Sequence, residues 1–206
     1  MIRLDKQQGL WSATIDRPEK ANSLTEEMLA ELAGFAEAAA APDSGARVLV
    51  LTGAGKVFSA GADLEAARAG LATSPVWERL SGAIAALPCL TIAALNGTVA
   101  GGAMGMVLAC DLRIAVPSAK AFYPVMKLGF LPQPSDPGRL VALIGPARAK
   151  MILMAGQKID AETALQWGLF DRIVEGDALM ETVTELAADT LGATAEHAAA
   201  IKGLCR

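Results

Sequence analysis

The chain has 206 residues, of which 53% are hydrophobic and 19% are charged. That is enough for one domain with a sizeable core, and it excludes a mostly disordered chain. The 18 basic and 22 acidic residues are well mixed, with a net charge of −4, so no basic block offers a nucleic-acid footprint.

Met1 to Gln8 is polar and charged and carries no signal-peptide pattern. Leu10 to Ile15 alternates apolar and polar residues and stops at Asp16-Arg17-Pro18, which predicts a strand with one wetter face. Ser23-Leu-Thr-Glu-Glu27 has a cap residue followed by acidic residues in a first turn, and the apolar positions that follow predict a helix through Ala41, ended by Pro42. Arg47 to Thr52 and Cys89 to Leu95 are short apolar runs typical of buried parallel strands. Leu112 to Val116 is a third, shorter run.

Helices are expected between these strands, at Ala62 to Ala72, Arg79 to Leu87 and Gly102 to Cys110. Asp136 to Ala155 reads as helix interrupted around Gly145-Pro146. Asp160 caps a helix through Trp167 that ends at Gly168, and a last helical region runs from about Asp177 to Lys202. The alternation of strand and helix predicts an α/β fold with a parallel sheet and right-handed crossovers.

There are 42 Ala and 20 Gly, which predicts a core of small residues and closely approaching backbones. The low charge points to surface covered by copies of the same chain, hence a homo-oligomer. No charged residue occurs between Arg79 and Asp111, as in a membrane span. Pro88, Asn96, Gly97, Gly101, Gly102 and Gly105 interrupt that run, so a buried strand, a glycine turn and a buried helix are the better reading. No membrane partner is expected. Cys89, Cys110 and Cys205 lack metal-type spacing and fit a reducing cytoplasm. His197 is the only histidine, which leaves no Ser–His machinery and no histidine-based metal site.

Two segments share one layout: Phe58-Ser-Ala-Gly-Ala-Asp63 and Asn96-Gly-Thr-Val-Ala-Gly-Gly-Ala-Met104. Each leaves a strand through small residues and enters a helix. The first turn of a helix carries unpaired N–H groups, and Gly and Ala let a ligand reach them. Two such N–H groups aimed at one point make an oxyanion hole. The other reading is tight packing at two strand-to-helix turns. Dinucleotide-binding and P-loop patterns are absent.

Taken together these segments resemble the crotonase superfamily, the enoyl-CoA hydratase/isomerase family, over about Leu10 to Glu175. Further similar stretches are Ile15-Asp-Arg-Pro-Glu-Lys-Ala-Asn-Ser-Leu24, Ala109-Cys-Asp-Leu-Arg-Ile-Ala115, Leu128-Gly-Phe-Leu-Pro132, Arg139-Leu140 and Ala161 to Leu169. The resemblance implies a ββα superhelical core at 1–175, with a C-terminal helical tail at 176–206 that is shorter than the family's. It implies that an acyl-CoA thioester sits between the N–H groups of Ala62 and Gly102, where an enolate is held. Lys20, Ala21, Ala60, Asp63 and Leu64 would border the CoA. Coenzyme A enters as part of the substrate, with no separate cofactor and no metal, and trimers or hexamers are the implied assembly.

The chain departs from the family's hydratases at both catalytic acids. The first acid position is Gly105 and the second is Val125. That points away from standard hydration and toward isomerase or lyase chemistry, or toward a non-catalytic acyl-CoA-binding or assembly subunit. In the loop Leu131-Pro-Gln-Pro-Ser-Asp-Pro-Gly138, Asp136 and Gln133 are the candidate catalytic residues, with Ser135, Tyr123 and Lys127 as further options. Asp136 alternatively caps the helix that holds Arg139. A small anion such as bicarbonate, used by some relatives, could instead fill the space at Gly105.

Overall fold

The computed structural model describes residues 1–205. The elements run β1 (Ile2–Gln7), β2 (Leu10–Ile15), α1 (Glu26–Ala39), β3 (Val48–Gly53), β4 (Val57–Ser59), α2 (Leu64–Arg68), α3 (Val76–Ala86), β5 (Leu90–Leu95), β6 (Thr98–Ala100), α4 (Ala103–Ala109), β7 (Leu112–Ala115), β8 (Lys120–Phe122), α5 (Val125–Leu128), α6 (Asp136–Leu153), β9 (Ile159–Asp160), α7 (Ala161–Trp167), β10 (Arg172–Ile173), α8 (Leu179–Gly192) and α9 (Ala195–Leu204).

The strands form two sheets. The larger has the order β1-β2-β3-β5-β7-β10, and the smaller β4-β6-β8-β9. β2, β3, β5, β7 and β10 are parallel, and β1 joins β2 antiparallel with Ile2 opposite Ile15. Three times the chain gives a long strand to the larger sheet, turns a corner, gives a short strand to the smaller sheet and enters a helix. The α/β expectation therefore holds, and the second strand of each ββα pass builds a smaller sheet that the hydropathy pattern alone did not reveal. Its strands have only two or three residues, too few for any period to show.

The corners demand small residues. A Cβ on Gly97, between β5 and β6, would lie 2.0 Å from the Lys56 carbonyl oxygen. Two buried or half-buried amides fasten the same corners. The Asn22 amide donates to the Ala54 and Val57 carbonyls, and its oxygen accepts from Arg17 N–H. Asn96 accepts from Gly53 N–H and donates to Gly55 O. These bonds satisfy carbonyl groups that the turning chain would otherwise leave unpaired.

Apolar runs became buried strands because helices cover them. Val48, Leu49, Val50, Ile92, Ala93 and Ala94 are wholly buried, and α8 packs across β3, β5 and β7. Leu179, Val183 and Ala187 are the face of α8 turned inward. The alanines of α1 let it lie close against α3. Cys89 and Cys110 are free thiols that burial pushes up to about 11 and about 12. They pack as small apolar groups. Among the described residues no helix is long and apolar enough to cross a membrane.

Several local expectations need correction. Met1 to Gln8 holds strand β1, hidden because Ile2 alone of its residues is buried. Within the expected capping segment Ser23-Leu-Thr25, the cap of α1 is Thr25, whose hydroxyl accepts from Met28 N–H. The 62–72 stretch is a five-residue helix followed by a 3-10 turn, and α3 begins at Val76. The last helical region breaks at Ala193-Thr194, where Thr194 caps α9. The interruption of α6 lies where it was expected, at Gly145 (φ 79, ψ 163) before Pro146.

Gly97→Ala and Gly34→Ala test the corner requirement. The first should destabilise the chain toward the upper end of ~1–3 kcal/mol, because the neighbour is backbone and cannot give. The second, in α1 with open space around it, should stabilise by ~0.5–1 kcal/mol. Urea denaturation of both variants measures the contrast.

Candidate active site

The site begins where two turns meet backbone to backbone. Gly61 (φ 90) precedes α2 and Gly101 (φ 57) precedes α4. A Cβ on Gly61 would stand 2.8 Å from the Ala100 carbonyl oxygen and 3.4 Å from Gly101 Cα. Only glycine combines these φ values with that approach. The 61 turn is held from behind. Ser59 Oγ donates to Asn22 O at 2.8 Å and accepts from Gly61 N–H at 3.1 Å. Leu24 N–H donates to Gly61 O, and Asp63 N–H donates to Leu24 O.

The residues that follow these glycines are Ala62 and Gly102. Neither backbone N–H donates to an acceptor among the described residues. Both residues line one cavity of about 240 Å³. Its walls are mainly apolar, from Leu64, Trp77, Phe122, Val125, Leu128 and Phe130. Trp77 is fixed by its indole N–H, which donates to Leu71 O at 2.8 Å. Its ring lies 3.1 Å from where a Cβ on Gly102 would be.

Behind one wall sits a buried carboxylate. Asp136, the first residue of α6, is 1% exposed. Its Oδ2 accepts from the Tyr123 hydroxyl at 2.9 Å. Its Oδ1 lies 3.8 Å from Arg139 Nη1, and neither of those atoms has a hydrogen-bond partner among the described residues. Burial pushes the Asp136 carboxyl up to about 6, against the pull of the Tyr123 hydroxyl and the Arg139 charge. Glu78 reinforces the rise by repulsion, and it accepts hydrogen bonds from both the Ser135 hydroxyl and the Ser135 N–H. Burial and the Asp136 charge push the Tyr123 hydroxyl well above its ordinary value. The same hydroxyl accepts from Gln133 N–H at 3.3 Å.

The α4 glycine at 105 faces this carboxylate. A Cβ there would meet Asp136 Oδ1 at 2.9 Å and Oδ2 at 3.1 Å. Asp136 thus fills the volume that a side chain on residue 105 would need, which displaces the expectation of a small anion in that space.

With this geometry in view, comparison with known proteins identifies the chain. The family model for enoyl-CoA hydratase/isomerase matches residues 5–205. The chain belongs to the enoyl-CoA hydratase/isomerase family. It is 34% identical to the 1,2-epoxyphenylacetyl-CoA isomerase of Escherichia coli over 190 residues, 88% of this chain and 72% of that one. It is 36% identical to the carnitinyl-CoA dehydratase of Citrobacter koseri over 200 residues, 94% of this chain and 75% of that one. The crystal structure of enoyl-CoA hydratase from Bacillus anthracis superposes with a TM-score of 0.90 at 31% identity, covering 98% of this chain and 81% of that one. The architecture is the crotonase fold, as the sequence resemblance implied.

The family frame shows where the remaining candidates lie. Ala60 and Leu64 line the cavity, as do Gln133 and Val125, whereas Gly105 and Asp136 stand behind its wall. Asp63 lies off that wall. Its Oδ1 caps α2 by accepting from Glu65 and Ala66 N–H, and its Oδ2 pairs with Arg17 at 2.9 Å. The Ala66 N–H first, and Arg17 next, hold the Asp63 carboxyl below its usual range. Lys20 is exposed and Ala21 adopts φ 51 at the end of a 3-10 turn, beside the Asn22 fastening. Asp136 does not use its side chain as a helix cap, and Ser135 precedes it at the cap position. The Tyr123 contact had no strong sequence signal beyond a single tyrosine in the chain. No group of three or more metal-ligating side chains gathers among the described residues.

Two outcomes test the Asp136 environment. The folded chain holds this proton more tightly than the unfolded chain, so the stability it contributes is complete below about pH 3.8 and is lost as pH rises through about 6. Relative to Asp136→Asn, the wild type should therefore lose roughly 2 kcal/mol between pH 4 and pH 7, read from denaturant unfolding at each pH. Gly105→Ala should cost ~1–3 kcal/mol in the wild type and much less on an Asp136→Ala background, read as the coupling in a double-mutant cycle.

Proposed function

We propose that the chain binds an acyl-CoA thioester in the cavity between α2, α4 and α5 and turns it over through an enolate, by isomerase or lyase chemistry and not by standard hydration. The observation that carries the reading is the pair of unengaged N–H groups at Ala62 and Gly102 on one apolar cavity wall. Two donors of this kind suit an oxygen that gains charge, and one such donor is worth ~2.7–4 kcal/mol to a barrier. The small-residue turns that expose them would also admit the thioester to hydrogen-bonding distance.

The acid–base group in this reading is the Asp136 carboxylate. It supplies the charge that Gly105 and Val125 lack, from a different element. A carboxyl near 6 is suited to exchanging protons around neutral pH. Gln133, whose side-chain amide donates to Ala72 O at 3.4 Å, is assigned to shaping the wall beside it. The relatives named above act on CoA thioesters, including an isomerase and a dehydratase. Ala60 and Leu64 would border the CoA arm at the cavity mouth, with Lys20 and Ala21 nearer its far end. Assembly as a trimer or hexamer is part of the same proposal, supported by exposed Leu128 and Leu131 beside the mouth.

Calorimetry with a set of saturated, 2-enoyl and 3-enoyl-CoA thioesters, paired with turnover assays, tests the reading. Binding is expected throughout, with double-bond migration or elimination exceeding hydration. Asp136→Ala should lower turnover by ~10²–10⁴-fold while binding persists. Absence of binding would refute the acyl-CoA assignment, and tight binding with no turnover would favour a non-catalytic thioester carrier.

A further inference from the structure

The Asp136 carboxylate does not reach the cavity. It is absent from the lining, where Tyr123 and Gln133 stand in front of it. The Tyr123 oxygen has one proton and two lone pairs. The proton goes to Asp136 Oδ2 at 2.9 Å, and one lone pair accepts Gln133 N–H at 3.3 Å. One lone pair is left over. Tyr123 is 4% exposed and lines the same cavity as Ala62 and Gly102.

We infer that the Tyr123 hydroxyl is the group that touches the reacting carbon, and that it relays the substrate proton to Asp136, which acts from behind it as a positioning and accepting residue. This rests on the enolate reading above. In the step, the C–H bond alpha to the thioester breaks and its proton passes to Tyr123 Oη. The original hydroxyl proton moves to Asp136 Oδ2. The C–H electron pair goes to the thioester oxygen, between the N–H groups of Ala62 and Gly102. The reverse transfer delivers the proton to the alpha or to the gamma carbon. Tyrosine ends each transfer neutral, so no tyrosinate is required.

The surroundings of Asp136 suit this role. Tyr123 faces it from the chain after β8, Arg139 from its own helix, and Glu78 through Ser135 from α3, while α4 presents only uncharged Gly105. Arg139 lies 3.8 Å from Oδ1 without bonding it, and Tyr123 is the one hydrogen-bond partner of the carboxylate among the described residues. The proton therefore has one hydrogen-bonded way in. A single relay on one side of the substrate moves a proton between carbons, and it lacks the second acid that addition of water across a double bond uses.

The test is alpha-hydrogen exchange of butyryl-CoA in heavy water, followed by mass spectrometry with the full chain, beside butyryl-CoA binding by calorimetry. Wild type should exchange, with a rate that rises through about pH 6. Tyr123→Phe and Asp136→Asn should each bind butyryl-CoA within threefold of wild type and exchange at least ~100-fold more slowly. Asp136→Asn should also lose the inflection near pH 6, which a purely structural role would leave in place. If wild type exchanges and Tyr123→Phe exchanges within threefold of it, the relay is wrong and the enolate reading stands. If wild type binds without exchange, the enolate reading falls and the relay with it. Should Tyr123→Phe fail to bind, the Asp136→Asn profile decides. A rate within threefold of wild type with the inflection intact overturns the relay, and loss of both supports it.

Discussion

Two turns of backbone touch with no side chain between them, and the architecture around them serves that contact. The Gly61 turn can approach the Ala100–Gly101 turn because residue 61 lacks a Cβ, and glycine accommodates the positive φ of both turns. Each turn lies at the end of one strand–corner–strand pass, so its position follows from the registry of β3 with β5 and of β4 with β6. The corner between β5 and β6 is a close approach as well, at Gly97 over Lys56 O. The amides of Asn22 and Asn96 tie these corners to one another. Part of the glycine content, at Gly53, Gly61 and Gly97, thus sits where backbones must meet.

Against this uncharged frame, Asp136 stands out. A carboxylate 1% exposed, with one oxygen unpaired, is costly in a fold whose core is otherwise so apolar. Burial raises its pKa, and the Arg139 guanidinium offsets part of that effect without closing to bonding distance. A group kept in such a position against stability is a mark of a functional site. Val125, by contrast, is an ordinary apolar lining residue at 7% exposure.

Much of the larger sheet was legible because its parallel strands are buried on both faces and read as unbroken apolar runs, as at Val48–Leu51 and Ile92–Leu95. The two small-residue turns were legible as a repeated layout, and Asp136 as the only acid in its loop. Strand β1 was not legible, because an edge strand with exposed Arg3, Asp5 and Lys6 has no apolar signature. The smaller sheet was hidden by the brevity of its strands, and the cap of α1 by the closeness of two candidates, Ser23 and Thr25. The meeting of Tyr123, Gly105 and Asp136 joins residues of three separate segments, and no local pattern records it.

The contact between Gly105 and Asp136 also constrains the paths by which such a sequence can change. One volume is shared by two positions on different helices, α4 and α6, and it admits a side chain from only one of them. In this backbone, a larger residue at 105 would require the Asp136 carboxylate to move or to give way to a smaller group. Passing from one arrangement to the other by single replacements requires an intermediate with both positions small, because the opposite order overfills the space. That intermediate would hold an empty notch and neither carboxylate. The two arrangements are therefore separated by a step of low fitness if the carboxylate matters, so lineages with either one should tend to keep it.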